Sequence, residues 1–297
     1  MRTLQGIVDA IFGLWQRTLD EAPEGPVLRL TLLLLILHGS EGENFQFLLR
    51  VIAAPMLLST SLTTNRWLWL ALAACCSAST YTFWFGQDNH KFLTTYWTIA
   101  CCLAAWNPKP AQVLAVNGRL LIALVFSFAV FWKFFGGELL NGKFFEFAFL
   151  SDPRFELMGR LGGLPSDVLA GQYSLVRLFR TLPAEGMTAT LRSAPQMHTY
   201  AVAMGWLTVL IEGAVAVAFW LRFKIQDLDI HNWLLMSFCV VTYFLAPVFG
   251  FGMLLTTMGL AQCNTGQRDA RQGFLWTFVI VMFAMRHTGG AAAQFLD

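Results

Sequence analysis

Long apolar runs almost free of charge, such as 113–135 and 199–221, constrain this chain more than any other feature. A run of about 18 or more apolar residues reads as a bilayer span, since a helix satisfies every backbone N–H and C=O within its own segment. The alternation over about ten residues that marks a membrane β-barrel strand is missing. Charged residues make up 13 % of the chain, against about a quarter in a soluble domain, too few to cover a water-facing surface. The expected fold is therefore all-α, a polytopic transmembrane helical bundle. A net charge of +2 offers no broad basic field, so nucleic acid is not an expected partner.

The segments can be placed along the chain. In residues 3–19, Leu4, Ile7, Val8, Ile11, Phe12, Trp15 and Leu19 fall at helical spacing, with Asp9, Gln16 and Arg17 off the stripe. This predicts an amphipathic helix over 1–22, lying in the membrane interface or packed on the bundle. The start lacks the continuous apolar core of a signal peptide. Apolar segments then follow at 27–38, 45–63, 67–85, 92–106, 113–135, 199–221, 233–262 and 273–286, giving about eight spans. The seventh holds Pro247, Gly250 and Gly252, so it is either a kinked span or two half-helices. The organisation expected is spans 1–5 in 23–135, a cap insertion in 136–198 and spans 6–8 in 199–297.

Lys and Arg in short loops set orientation. Arg2, Arg17, Arg66, Lys109, Arg119, Arg222, Lys224 and Arg286 fall on one side of an eight-span arrangement, against Lys91, Arg268 and Arg271 on the other. Both termini are thus expected in the cytoplasm, with 136–198 outside. That insertion opens aromatic and continues with Arg154, Arg160, Arg177, Arg180 and Arg192, which suits short helices capping the outer mouth. The six cysteines form no C-x-x-C pair and lie in or beside apolar stretches. They read as buried small hydrophobes, and no metal set is expected.

Ionisable groups inside apolar spans are costly and carry a functional hypothesis by default. Lys133 lies among Phe131, Trp132, Phe134 and Phe135; His90 lies in Gln87-Asp88-Asn89-His90-Lys91. A partly dehydrated Lys among aromatics is a candidate general base; the plainer alternative is a Lys snorkelling to the interface. His90 is either its partner or an ordinary loop residue. Glu212, beside Gly213, Ala214 and Ala216, reads as a hydrogen-bond partner for a neighbouring helix, and His231 and His287 as interfacial.

Three stretches carry a resemblance. Asn89-His90-Lys91-Phe92-Leu93 resembles an Asn-His-x-Tyr-Leu helix entry. The Lys133 segment, ending in Leu140-Asn141-Gly142, is similar to a Gly-x-x-Lys-Leu-x-x-x-Trp-x-x-Gly stretch. His231 followed by Phe249-Gly250-Phe251-Gly252-Met253-Leu254 resembles a His…Gly-x-Phe-x-x-x-Met-Leu pattern. Together they are similar to the membrane domain shared by vitamin K-dependent γ-glutamyl carboxylase and the bacterial horizontally transferred transmembrane domain (HTTM) proteins. The resemblance implies that Lys133 is a base toward a quinol and that His90 assists it. The pocket would be lined by Trp84, Phe134 and Phe135 and would take a quinone or lipid. The chain departs from the family pattern in the Trp position near Glu138 and in the spacing to Gly142. With only a short segment after the last span, carboxylation of a protein by this chain is not expected. An HTTM-like protein of a bacterial inner membrane is the first expectation, a non-catalytic subunit among other membrane proteins the second, and a transporter the third.

Overall fold

The computed structural model describes residue 13 and residues 15–181, 188–225, 229–245 and 250–292. Among the described residues the fold is all-helical, with no strand. Residues 15–20 are helical; the rest of the expected amphipathic stripe, including Ile11 and Phe12, lies outside the described residues. There follow α1 (Glu24–His38), α2 (Glu43–Leu58), α3 (Thr60–Thr63), α4 (Arg66–Thr82), α5 (Asn89–Ala105) and α6 (Pro110–Gly136). The insertion forms α7 (Lys143–Ser151), a 3₁₀ turn (Pro153–Phe155), α8 (Glu156–Leu161) and α9 (Ser166–Thr181). The chain returns through α10 (Met197–Arg222), α11 (Ile230–Leu245), α12 (Phe251–Leu260) and α13 (Arg268–Ala292).

Local chemistry sets several of these boundaries. The Asn65 side chain accepts from the Trp67 and Leu68 amides and so starts α4. Pro110 opens α6, where its missing N–H costs nothing, and Gly137 closes it at φ 68°. The last carbonyls of α1 have no partner within their own helix. Gln46 donates to Leu35 and Ile36, Arg50 to Ile36, and Lys91 Nζ to His38 O at 3.1 Å. Lys91, a sequence neighbour of His90, therefore finishes α1.

Loop contacts show from which end of the bundle each helix starts. Gln267 donates to Asp229 at 2.6 Å, Arg268 to Asp20 at 2.6 Å, and the buried Arg271 to the carbonyls of Thr18 and Glu21. The end of α10, the end of α12 and residues 15–21 thus meet at one end. At the other end Ser79 donates to the Glu41 carbonyl, and Gly250 lies against His38. The expected seventh segment is accordingly two antiparallel helices, α11 and α12, with Gly250 at φ 80° before the second.

Residues 15–21 and the end of α13 accordingly lie at opposite ends of the bundle. An extra pass reverses everything after it. α13 starts beside residues 15–21, passes Gly259 with Phe274 and Gly252 with Val281, and packs on Pro153–Phe155 of the insertion. α12 is the central helix: Gly252 through Leu260 are all buried, among α1, α6, α11 and α13.

The insertion has its own core, in which Phe145, Phe149, Met158, Leu169 and Met197 are buried together. It forms a cap seated on α10, where a Cβ on Gly205 would come within 2.3 Å of the Leu139 carbonyl oxygen. All six cysteines are free and buried.

Among the described residues two helices, α6 and α10, are long and apolar enough to cross a membrane, with mean hydropathies of 2.1 and 1.9 over their most apolar stretches. Only 28 % and 39 % of those stretches are buried inside the protein, so most of their apolar surface faces outward.

Candidate functional site

A cavity of about 820 Å³ opens at the cap end of the bundle, between α6, α10, the start of α5 and the cap. α6 contributes Val125, Phe128, Ala129, Trp132, Lys133 and Gly136. These recur at the three- and four-residue spacing of one helix face, so a single stripe of α6 forms the wall. His90, Glu212, Arg154 and Phe251 complete the lining that matters for chemistry.

Lys133 and Glu212 are the centre of the site. Lys133 Nζ donates to Glu212 Oε2 at 2.5 Å, tying α6 to α10, and the two side chains are 16 % and 12 % exposed. The hydrogen-bond partner expected for Glu212 on a neighbouring helix is thus Lys133. As the donor in an ion pair the ammonium has no free lone pair. It can act as a base only after it gives up a proton, for which Glu212 is the acceptor at hand.

His90 lines the same cavity, ahead of the apolar run 92–106, with its Nδ1 3.9 Å from Asp88 Oδ2. Burial, aided by the Lys91 charge, pushes its imidazole down to about 4, so the ring is neutral at pH 7. A neutral ring offers one donor and one acceptor to a polar ligand. Arg154 comes from the cap and is held by Asp152, Nε to Oδ1 at 3.0 Å and Nη2 to Oδ2 at 2.5 Å. That hydrogen bonding holds its guanidinium above the usual arginine range. Lys133 and Arg154 each have a carboxylate, and Asp88 and Glu138 also line the cavity, so negative groups outnumber positive ones there.

A second, apolar cavity of about 150 Å³ lies under the cap and shares Glu212 with the first. Phe149, Met158, Ile211, Phe238 and Val241 are among its walls. A space of this size and lining takes a benzene-sized group in other proteins.

The structure brings Lys133 and His90 to one cavity and leaves the expected cofactor contacts outside it. Trp84 is exposed and meets Phe92 edge-on, Phe134 meets Trp206, and Phe135 lies against Phe131. None of the three lines the cavity. Phe134 and Phe135 follow Lys133 directly, and successive helical residues point about 100° apart, so adjacency in sequence carries them off the wall. His231 is buried against Phe219 at the start of α11, away from the site. Sequence reasoning missed Arg154 as a lining residue, because nothing local says that the 3₁₀ turn comes to the cavity that His90 lines. Comparison with protein-family models, with curated proteins and with solved structures finds no match to this chain.

Proposed function

We propose that this chain is a polytopic membrane protein that binds the polar head of an uncharged amphiphile, a quinone or another neutral lipid, at the cap end of the bundle. One observation carries the reading. Glu212, paired with Lys133, is shared by a larger cavity that holds charged groups and an apolar one sized for a ring or a short branched unit. Carboxylates in excess over cations disfavour an anionic head, and His90 and the ion pair offer hydrogen bonds to a neutral one. The outward apolar surface of α6 and α10 supports placement in a bilayer, where such surface is at no disadvantage. The role of Lys133 as a base, with His90 assisting, follows the HTTM resemblance and requires Lys133 to lose its proton first.

Mass spectrometry of lipid that co-purifies with the detergent-extracted protein tests the reading. Ala129→Trp fills the larger cavity and should lower retained quinone or neutral lipid by about tenfold or more, a change of ~1.4 kcal/mol. Wild-type retention by this variant, with the fold intact, sinks the proposal.

The orientation supports a separate expectation. Arg17, Arg66, Lys109, Arg222, Lys224, Arg268 and Arg271 all cluster at the end opposite the cap. With that end cytoplasmic, the cap and the far end of α13 lie outside. A C-terminal alkaline phosphatase fusion should be active and a C-terminal green fluorescent protein fusion dark; the reverse result restores an even number of crossings. A second reading, a subunit of a larger assembly, is favoured by Phe147, Leu157 and Leu161, which stand exposed on the cap.

A further inference from the structure

At the end of the bundle opposite the cap, α6 and α10 bring two arginines together. Arg119 stands where the charge of Arg222 acts on it, and its guanidinium lies over the Phe223 ring, 5.3 Å from the centroid. Both side chains are half-buried. The Nε of each is shielded from solvent and has no hydrogen-bond acceptor. Among the described residues neither arginine forms an ion pair with a carboxylate, and Arg222 reaches only the Ile225 carbonyl, at 3.3 Å.

Two like charges, half-buried side by side with shielded donors unmatched, destabilise the fold unless something supplies acceptors and negative charge. A phosphate group does both. Its oxygens match the fork of a guanidinium, and it is the anion for which Arg is better built than Lys. We infer that Arg119 and Arg222 form a binding site for a phosphate group, the headgroup of an anionic phospholipid in the cytoplasmic leaflet. The inference rests on α6 and α10 crossing the membrane, not on the cap-end cavity or its ligand. The setting favours lipid over a free anion. Lys224 and the exposed rings of Trp220 and Phe223 adjoin the pair, and aromatic and basic residues gather at the depth of lipid headgroups.

The test uses the full chain in nanodiscs of phosphatidylcholine alone or with phosphatidylglycerol, read by native mass spectrometry and thermal unfolding. Wild type should retain phosphatidylglycerol about thirtyfold better than phosphatidylcholine, equivalent to ~2 kcal/mol at about 1 per arginine, and should melt higher when it is present. R119Q and R222Q should lose the preference, while R119K keeps part of it. In pure phosphatidylcholine R119Q should melt no lower than wild type, because it removes an unmatched charge. A lower melting point there means the guanidinium is structural and overturns the site, as does an unchanged lipid preference in both Gln variants. Stabilisation by millimolar inorganic phosphate, with no preference for phosphatidylglycerol, supports a phosphate site whose occupant is the free anion. A protein that stays soluble and monodisperse without detergent refutes the membrane placement instead, a failure distinct from that of the arginine pair.

Discussion

Glu212→Leu is expected to destabilise the protein by about 3 kcal/mol, and adding Lys133→Met to the same chain should restore most of the loss. The single change strands an ammonium in a site where it is 16 % exposed. Removing both charges leaves two apolar side chains of similar reach between helices that already pack closely. Denaturant or thermal unfolding in detergent, run as a double-mutant cycle, gives the coupling directly. If the double variant is as unstable as Glu212→Leu, the pair is not the connection between α6 and α10 described above. The cycle also separates stability from ligand binding. The double variant should fold yet fail to retain the co-purifying amphiphile, because the polar wall shared by the two cavities is gone.

Gly205→Leu should destabilise the protein by about 3 kcal/mol, the upper part of the range for overpacking. A Cβ there would come within 2.3 Å of the Leu139 carbonyl, and backbone cannot rotate aside as a side-chain tip can. The cap must lift, and the cavity beneath it should open. Maleimide labelling of an Ala129→Cys chain measures this against a quiet background, since all six native cysteines are buried. Labelling should quicken in the Gly205→Leu background and stay unchanged with Gly213→Leu, where nothing lies within 4 Å. Equal labelling in the two backgrounds would show that the cap is not seated through Gly205.

The helices were readable because apolar run length is a local property. Each run from 27–38 to 273–286 falls on a helix, and Pro247 with Gly250 marked the break in the seventh. What could not be read was whether that break leaves one pass or makes two. The answer lies in long-range contacts such as Gln267 to Asp229, and it reverses the end at which α13 finishes. The site divides the same way. Lys133 stands out as a charge in an aromatic run, but its partner Glu212 is 79 residues away and no local pattern joins them. Phe134 and Phe135 look like pocket residues only while the helix is treated as a line; its turn takes them to the outer face.

α12 carries a consequence for how the chain is made. Ten residues rise about 15 Å, half the hydrocarbon thickness, so this helix is a poor candidate to enter a bilayer alone. Its neighbours include α1, made first, and α13, made last. The order of synthesis and the order of assembly must therefore differ. On the proposed membrane placement, α1 and α6 would wait with the faces meant for α12 unfilled, and the centre would close only once α12 and α13 are made. A chain halted near residue 250 would carry most of its helices and still lack its middle. Quality control that senses exposed polar or poorly packed faces between helices would find such a chain, whereas a check on the number of inserted apolar segments would let it pass.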